Sequence, residues 1–171
     1  MPSIFLQAIF NASYPKLIPS TLIEGEWVEL SQLTEKGFLE VVGRIIEIDK
    51  SRPGYLIQRV EITDYDDFYG LTPPIEKVLE VAASLVQHGE AYALYAQNIG
   101  MDIADDFEEA YCGEWNSFKD YAIEQFDDVY AFNLCDHARS YIDYDKVARD
   151  LQMDYFYETS HAGTVHVFRH I

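Results

Sequence analysis

Carboxylate side chains are concentrated in the middle of this sequence, where they could act together on a cationic partner. Residues 102–128 contain ten acids and one base, Lys119, and a shorter acidic run spans residues 64–67. Carboxylates at this density can bind metal ions, perform acid/base chemistry or present a negative surface to a basic protein. The candidate residues are Asp64, Asp66, Asp67, Asp102, Asp105, Asp106, Glu108, Glu109, Glu114, Asp120, Glu124, Asp127 and Asp128.

The excess negative charge is confined to this middle stretch. The 171 residues carry a formal net charge of -18, from 30 acids and 12 bases. Residues 1–60 contribute a net charge of -1, residues 61–128 contribute -15, and residues 129–171 contribute -2. Halophilic adaptation spreads acids evenly over a chain, so this uneven distribution favours a dedicated acidic surface.

The acids do not match the patterns of a metal site or a catalytic pair. An EF-hand loop starting at Asp64 would need Gly and Glu where Tyr69 and Ile75 stand. Cys135 and His137 form a Cys-x-His pair without a second pair of ligands. Adjacent acids on a helix point in different directions, and the five histidines show no triad-like order with a nucleophile. We therefore expect no metal, no cofactor and no catalytic activity.

Apolar residues between the acids predict that the carboxylates lie on folded structure. Hydrophobic residues make up 49% of the chain and aromatic residues 15%, which is enough apolar surface to offset conformational entropy. Phe118, Tyr121, Ala122 and Phe126 recur at helical spacing, which leaves the acids of this segment toward water. A preformed array of charges docks at a lower entropic cost than a flexible acidic tail.

The order of predicted elements indicates an α+β protein, an elongated chain of small α/β units that flank a helical middle. Thr34, Thr72, Asp105, Ser117 and Asp143 are candidate helix caps, and Pro73 follows Thr72 at the first turn of its helix. Alternating patterns predict strands over residues 4–10, 26–30 and 55–63, and a hairpin over residues 155–159 and 164–169. The predicted units are residues 1–73 (N-terminal α/β), 74–104 (helical middle) and 105–171 (C-terminal, acidic α/β).

Several classes of partner and location are unfavourable for such a chain. A net charge of -18 repels nucleic acid and anionic lipid. No apolar run approaches the roughly 18 residues that span a bilayer. The first residues lack the charged region and cleavage site of a secretion signal, and Cys112 and Cys135 are expected to be free thiols. We expect a cytoplasmic protein that binds neither nucleic acid nor membrane.

Five segments, in the same order, resemble the ArdA family of antirestriction proteins. The family motifs are G-x-W-[IV]-[DE]-L at residues 25–30, I-x-D-Y-[DE] at 62–66, A-Y-x-G-x-[YW]-x-S at 110–117, Y-I-D-Y-x-x-x-A-R-D-L at 141–151, and V-F-R at 167–169. The resemblance implies a three-part homodimer whose carboxylates imitate DNA phosphates. It also implies that the protein occupies the DNA-binding site of Type I restriction-modification enzymes, on their methyltransferase core. Such proteins are usually carried by mobile genetic elements.

The charge of the chain is compatible with that implication. Duplex DNA carries one charge per roughly 1.7 Å of axis, so 30 carboxylates at this density would cover on the order of 50 Å. A compact chain of this length has a radius of gyration of roughly 15 Å, so an elongated shape is expected. An alternative uses the same carboxylates: an acidic interaction module that binds another basic DNA-binding protein.

Overall fold

The structure is a computed structural model that describes residues 1–10, 25–31, 33–50, 57–131 and 133–171, with the side chains of 8–10, 46–50, 57–59, 102 and 103 excepted. Across these ranges the chain forms seven α-helices and two three-stranded antiparallel sheets, which confirms the predicted α+β class. It divides into two compact units, Met1–Gly89 and Glu90–Ile171. The boundary between them lies inside the predicted middle unit, and the three-unit organisation stays a prediction.

The first unit is built on a sheet with strand order β2-β1-β3. Its elements are β1 (Ser3–Phe10), β2 (Gly25–Glu29), α1 (Glu35–Lys50), β3 (Ile57–Asp66) and α2 (Val78–His88). Ile4 and Leu6 are fully buried on one face of β1, as the two-residue period of a strand requires. The predicted cap of α1 is confirmed, because the Gly37 N–H donates to Thr34 Oγ1 at 3.2 Å.

Two sequence predictions for this unit were wrong. The strand predicted to end at Thr63 continues to Asp66, because β1 keeps pairing with it as far as Ser3. Its acids are tolerated because β3 is an edge strand that faces water. The helix predicted to start after Thr72 instead begins at Val78. Residues 72–74 are not helical, and the Pro73 carbonyl accepts a 2.6 Å hydrogen bond from Tyr65 Oη.

The second unit surrounds a sheet with strand order β4-β6-β5. Its elements are α3 (Glu90–Ile99), a 3-10 helix (Met101–Asp106), α4 (Phe107–Ala110), β4 (Tyr111–Trp115), α5 (Phe118–Val129), α6 (Asp136–Arg139), α7 (Tyr144–Leu151), β5 (Tyr155–Thr159) and β6 (Val165–Arg169). The predicted C-terminal hairpin is confirmed as β5 and β6. Strand β4 was not predicted, and Asp105 does not cap the helix that follows it, since α4 begins only after Asp106 and without a side-chain cap bond.

The central strand β6 separates two apolar layers. Val165 and Val167 pack with Phe118 and Tyr121 of α5 on one face. Phe168, which is fully buried, belongs to the other face, where its ring lies 5.2 Å from Tyr95, 5.0 Å from Phe156 and 5.6 Å from Tyr111. Helices α3 and α5 are therefore anchored on opposite faces of one sheet.

Helix α3 is also tied to the β5–β6 hairpin through polar contacts. Glu90 Oε1 accepts a hydrogen bond from the backbone N–H of His161 at 2.8 Å and lies beside the ring Nδ1 of the same residue. Burial raises the pKa of the Glu90 carboxyl, but the His161 backbone and ring contacts outweigh it and bring this pKa below its ordinary value. A lowered pKa means that ionised Glu90 stabilises the fold above about pH 4.5, and that this stabilisation is lost as pH falls through the folded-state pKa.

We expect Glu90→Gln to lower the free energy of unfolding by about 1 kcal/mol at neutral pH, because a charged hydrogen-bond acceptor is lost. At acid pH the difference from the unmodified chain should shrink, because Glu90 becomes protonated in both states as the pH falls through its lowered folded-state pKa. Urea unfolding at the two pH values measures it. Glu124→Gln, at an exposed position, is the control and should change stability by less than about 0.5 kcal/mol. A Glu90→Gln effect that is equal at both pH values would contradict the assignment.

Candidate functional site

The candidate acids of the first unit lie at the end of β3. Asp64 and Asp66 are exposed and oppose Phe5 and Ser3 of β1. Asp67 follows in a left-handed conformation, and its carboxylate binds the N-terminal ammonium group. That hydrogen bond raises the pKa of the amino group. Within the described residues Asp67 is thus paired with the ammonium group, whereas Asp64 and Asp66 form no ion pair with it.

The acids between residues 105 and 109 lie on a short helical segment with a buried inner side. Ala104, Phe107 and Ala110 are all buried and recur every third residue, which is the period of a 3-10 turn. The Phe107 ring stacks on Tyr111 at 5.1 Å and holds this segment on the aromatic layer. The side chain of Asp102 lies outside the described part of the chain. The exposed residues of the segment are Asp105, Asp106, Glu108 and Glu109.

Helix α5 carries acids along one side and apolar residues along the other. Phe118, Tyr121 and Ala122 are buried against the sheet. On the exposed side, three acids follow one another at a spacing of four residues, which places them on one face at intervals of about 6 Å along the axis. These residues, called here the acidic row, are Asp120, Glu124 and Asp128.

The first member of the acidic row is fixed by the start of its helix. Ser117 Oγ accepts a hydrogen bond from the Asp120 N–H at 3.2 Å and donates one to Asp120 Oδ2 at 2.7 Å. This confirms Ser117 as the cap of α5, but the Asp120 carboxylate accepts from the Ser117 hydroxyl and not from its backbone N–H, as it would in a full capping box. The side chain of Asp120 is thus both a structural element and a positioned surface charge.

Asp127 belongs to the interior contacts of the unit and not to the acidic row. Its carboxylate accepts hydrogen bonds from Arg139 Nη1 at 2.5 Å and from Tyr144 Oη at 2.6 Å. The Asp127 side chain is only 20% exposed. The bond to Asp127 raises the pKa of Tyr144. Arg139 neutralises the charge of Asp127, which joins α5 to α6 and α7 and is not part of the acidic row.

We expect Asp127→Asn to lower the free energy of unfolding by about 1–2 kcal/mol, because it leaves the Arg139 guanidinium without its counter-charge. The adjacent Asp128→Asn is the matched control, since Asp128 is exposed, and it should change stability by less than about 0.5 kcal/mol. Urea unfolding of both variants gives the comparison. Equal stability of the two variants would show that the Arg139 contact contributes nothing.

Glu114 lies apart from the acidic row. It opposes His166 in the ladder between β4 and β6 and accepts a hydrogen bond from Thr164 Oγ1. His166 is buried and contacts Tyr111 Oη through Nδ1 at 3.0 Å. Side chains alternate along β6, and Val165 and Val167 face α5. His166 and its ladder partner Glu114 therefore lie on the opposite face of the sheet. The structure therefore does not bring Glu114 together with the acids of α5.

Lys119, which precedes Asp120 of the acidic row in the sequence, is already engaged. Lys119 Nζ lies 2.7 Å from Asp145 Oδ1 of α7, and this contact raises the pKa of Lys119. Sequence analysis missed Asp145, because only the fold brings α7 beside α5. Among the residues that the structure describes, no Lys, Arg or His forms an ion pair with five of the candidate acids. These five are Asp105, Asp106, Glu109, Glu124 and Asp128.

Other kinds of site find little support in the described ranges. No group of three or more His, Cys, Asp or Glu residues there is arranged to hold a metal ion. Both cysteines are free; Cys112 is half-buried and Cys135 is exposed. Within the same ranges, no helix has the length and apolar character needed to cross a membrane.

Comparison with known proteins places these features in a family. The family model described as antirestriction protein (ArdA) matches residues 21–166 of the 171. A search of curated proteins finds no match. The matched range includes all candidate carboxylates and parts of both compact units. A match over most of the chain, in a protein whose exposed acids are held on ordered elements, shows that this chain belongs to the ArdA family of antirestriction proteins.

Proposed function

We propose that this protein is a non-catalytic DNA mimic that occupies the DNA-binding groove of a Type I restriction-modification enzyme, on its methyltransferase core. The observation that carries the proposal is the acidic row of α5. Its three carboxylates are exposed along one side of a helix whose other side is buried in the core. Such a helix presents its charges at defined intervals, as a nucleic acid backbone does.

The spacing of these charges supports the proposal and indicates how much of the required charge the acidic row supplies. Successive members of the acidic row are about 6 Å apart along the helix, whereas one DNA strand carries a phosphate every 3.4 Å or so. The row alone therefore supplies about half the linear charge density of one strand. Further carboxylates must contribute, and the remaining candidates of this unit include the exposed acids of residues 105–109, which Phe107 holds on the opposite face of the sheet from α5.

The rigidity of the supporting elements is the second argument. A flexible acidic tail loses conformational entropy when it docks, whereas a preformed array does not. Phosphate contacts supply most of the non-specific affinity of DNA-binding proteins, so a mimic needs charge and shape but no base edges. This explains how one chain could compete with DNA of any sequence.

The remaining features of the proposal extend beyond the second unit. We propose a cytoplasmic homodimer, so that two copies double the acidic surface, and a chain organised as the units 1–73, 74–104 and 105–171. The predicted contributors also include Asp64, Asp66, Asp67, Asp102 and Glu114. Carriage on a mobile genetic element fits a protein that shields incoming DNA.

A competition assay tests the proposal. A fluorescent DNA duplex is bound to a purified Type I methyltransferase core, and the protein is added at increasing concentration. We expect complete displacement of the duplex, and unlabelled DNA should in turn displace the protein. If a ternary complex formed, or no displacement occurred, occupation of the DNA groove would be excluded. Binding would then have to be sought among other basic DNA-binding proteins.

A further inference from the structure

The first sheet carries an exposed aromatic pair on the face opposite its core. Side chains alternate along a strand, so the residues of β2 are divided between the two faces. Val28 is buried in the core, whereas Trp27 lies on the other face and is 52% exposed. The Trp27 ring lies 5.5 Å from the Phe5 ring of β1, at an angle of 59°. Half of this large apolar side chain is therefore available to a partner.

The position of Phe5 depends on a glycine of the neighbouring strand. Gly25 alternates onto the same face as Trp27. A Cβ atom at residue 25 would lie 2.6 Å from the Phe5 ring and 2.6 Å from the Leu6 carbonyl oxygen. A larger residue would displace the ring, so glycine allows Phe5 to pack over β2 and against Trp27. The two rings, called here the aromatic platform, are positioned before any partner binds.

An acid lies on the other side of Phe5 in the same row of the sheet. Phe5 opposes Trp27 of β2 and Asp64 of β3, so the three residues share one face. Because neighbouring strands are about 4.8 Å apart, the Cα atoms of Trp27 and Asp64 are separated by about 10 Å. The exposed Asp64 carboxylate accepts the Tyr65 N–H at 2.9 Å and has no cationic partner among the described residues.

The next row of the same face adds two exposed carboxylates. Glu29 and Asp66 oppose Ser3 from its two sides. A hydrogen bond from the N-terminal ammonium group to Asp67 raises the pKa of that group, and the charges of Asp66 and Glu29 raise it further. The carboxylates of this row therefore act on one cation beside the sheet. The potential around the platform is negative, and its complement is a cationic segment.

We propose that the aromatic platform binds an arginine side chain of the basic partner, an inference that rests on the proposed function. The guanidinium group stacks on the exposed ring of Trp27, and neighbouring basic residues of the partner lie over Asp64 and the acids of the next row. Arginine is favoured over lysine because its planar group is weakly hydrated and stacks on aromatic rings. Such a contact adds a local anchor to a binding energy that is otherwise spread over exposed charges.

The test is an NMR titration of the full chain with the peptide acetyl-Arg-Arg-Arg-amide, followed at the indole N–H signals. Salt at about 150 mM screens the exposed acids elsewhere. The chain has two tryptophans, and Trp115, whose Nε1 is buried, is the internal control. We expect a saturable shift of the Trp27 signal and none of the Trp115 signal.

Two further peptides identify the chemistry that the platform recognises. Acetyl-Lys-Lys-Lys-amide has the same charge and should bind at least about threefold more weakly. The tricitrulline peptide has nearly the same shape without the charge and should bind at least about tenfold more weakly. A Trp27 signal that does not move, or that moves equally with all three peptides, would overturn the proposal.

Variants separate the ring from apolar surface in general. Trp27→Leu should weaken binding of the triarginine peptide about fivefold, and Trp27→Phe, which keeps a ring, should weaken it less. Leu39→Ala removes a side chain that is 61% exposed on α1 and should leave binding unchanged. Backbone amide signals of residues 25–29 report binding in all variants, and thermal unfolding confirms that each is folded. An equal effect of Trp27→Leu and Leu39→Ala would overturn the proposal.

The aromatic platform and the proposed function can fail separately. If the chain does not displace DNA from the enzyme, the proposed function fails, while the peptide titration still decides whether the platform binds arginine. If the chain displaces DNA, Trp27→Leu should raise the concentration needed for half-displacement about fivefold, and Leu39→Ala should not change it. If both variants displace DNA as well as the unmodified chain, the arginine anchor is overturned and the mimic stands.

Discussion

Neutralising six exposed carboxylates together should abolish displacement of DNA, raising the concentration needed for half-displacement by about 10³-fold or more. Each exposed contact contributes less than about 1 kcal/mol, and six such contacts together account for this loss. Because each contribution is small, a single substitution such as Asp120→Asn should raise that concentration less than about fivefold. The six changes are Asp105→Asn, Asp106→Asn, Glu109→Gln, Asp120→Asn, Glu124→Gln and Asp128→Asn.

A second set of six substitutions controls for net charge. These acids are also exposed, but they are not among the candidate residues. Their loss changes the total charge by the same amount and should weaken the displacement of DNA much less. The control changes are Glu35→Gln, Glu40→Gln, Glu80→Gln, Asp136→Asn, Asp150→Asn and Asp154→Asn. Equal loss from both sets would mean that only total charge matters. Complete loss from Asp120→Asn alone would indicate a specific site instead of a distributed surface.

Phe168→Ala should lower the free energy of unfolding by about 3–5 kcal/mol, the second large effect that we expect. Phe168 is fully buried at the centre of the aromatic layer, so its removal leaves a cavity that Tyr95, Tyr111 and Phe156 cannot fill. This is a large part of the stability of an ordinary domain. Displacement of DNA from the methyltransferase core should weaken in parallel, because the acids lose the scaffold that positions them.

Urea unfolding followed by aromatic fluorescence measures this loss. The matched control is Tyr141→Ala, because Tyr141 is 78% exposed and its removal should cost less than about 1 kcal/mol. A Phe168→Ala protein as stable as the control would contradict the packing described for the second unit.

Local patterns predicted the elements whose determinants lie within a few residues. The Ser117 cap, the Thr34 cap and the apolar face of α5 all follow from three- and four-residue spacing, and the structure confirms them. The Asp143 cap is confirmed in the same way, because Asp143 Oδ1 accepts from the Lys146 N–H at 3.0 Å. The C-terminal hairpin also has a local turn that sequence shows.

Elements that depend on distant partners were missed. Strand β4 is only five residues long and exists because it pairs with β6, about fifty residues later. Its glycine, Gly113, adopts a positive φ at an irregularity in the ladder, which no local pattern indicates. Asp105 matched a capping box, but it lies inside the 3-10 helix Met101–Asp106, and the helix after it begins at Phe107 without a side-chain cap.

The candidate carboxylates also combine features that local sequence patterns predict with features that depend on distant residues. Their exposure on α5 could be predicted, because helical periodicity separates apolar and acidic faces. Their counter-charges could not, since Arg139 reaches Asp127 from beyond the end of α5 and Lys119 pairs with Asp145 of α7. Which acids remain available to a partner therefore depends on tertiary contacts, and only the fold separates Asp127 from its neighbour Asp128.

The most direct test of the DNA-mimic proposal is the salt dependence of the complex with a purified Type I methyltransferase core. We expect the dissociation constant to rise by at least about tenfold between about 50 mM and about 200 mM salt, because the contacts are exposed charge pairs. The variant in which all six carboxylates are neutralised should lose most of this salt dependence. A dissociation constant that is unchanged over this range would contradict an electrostatic mimic and would indicate a complex held by apolar contacts.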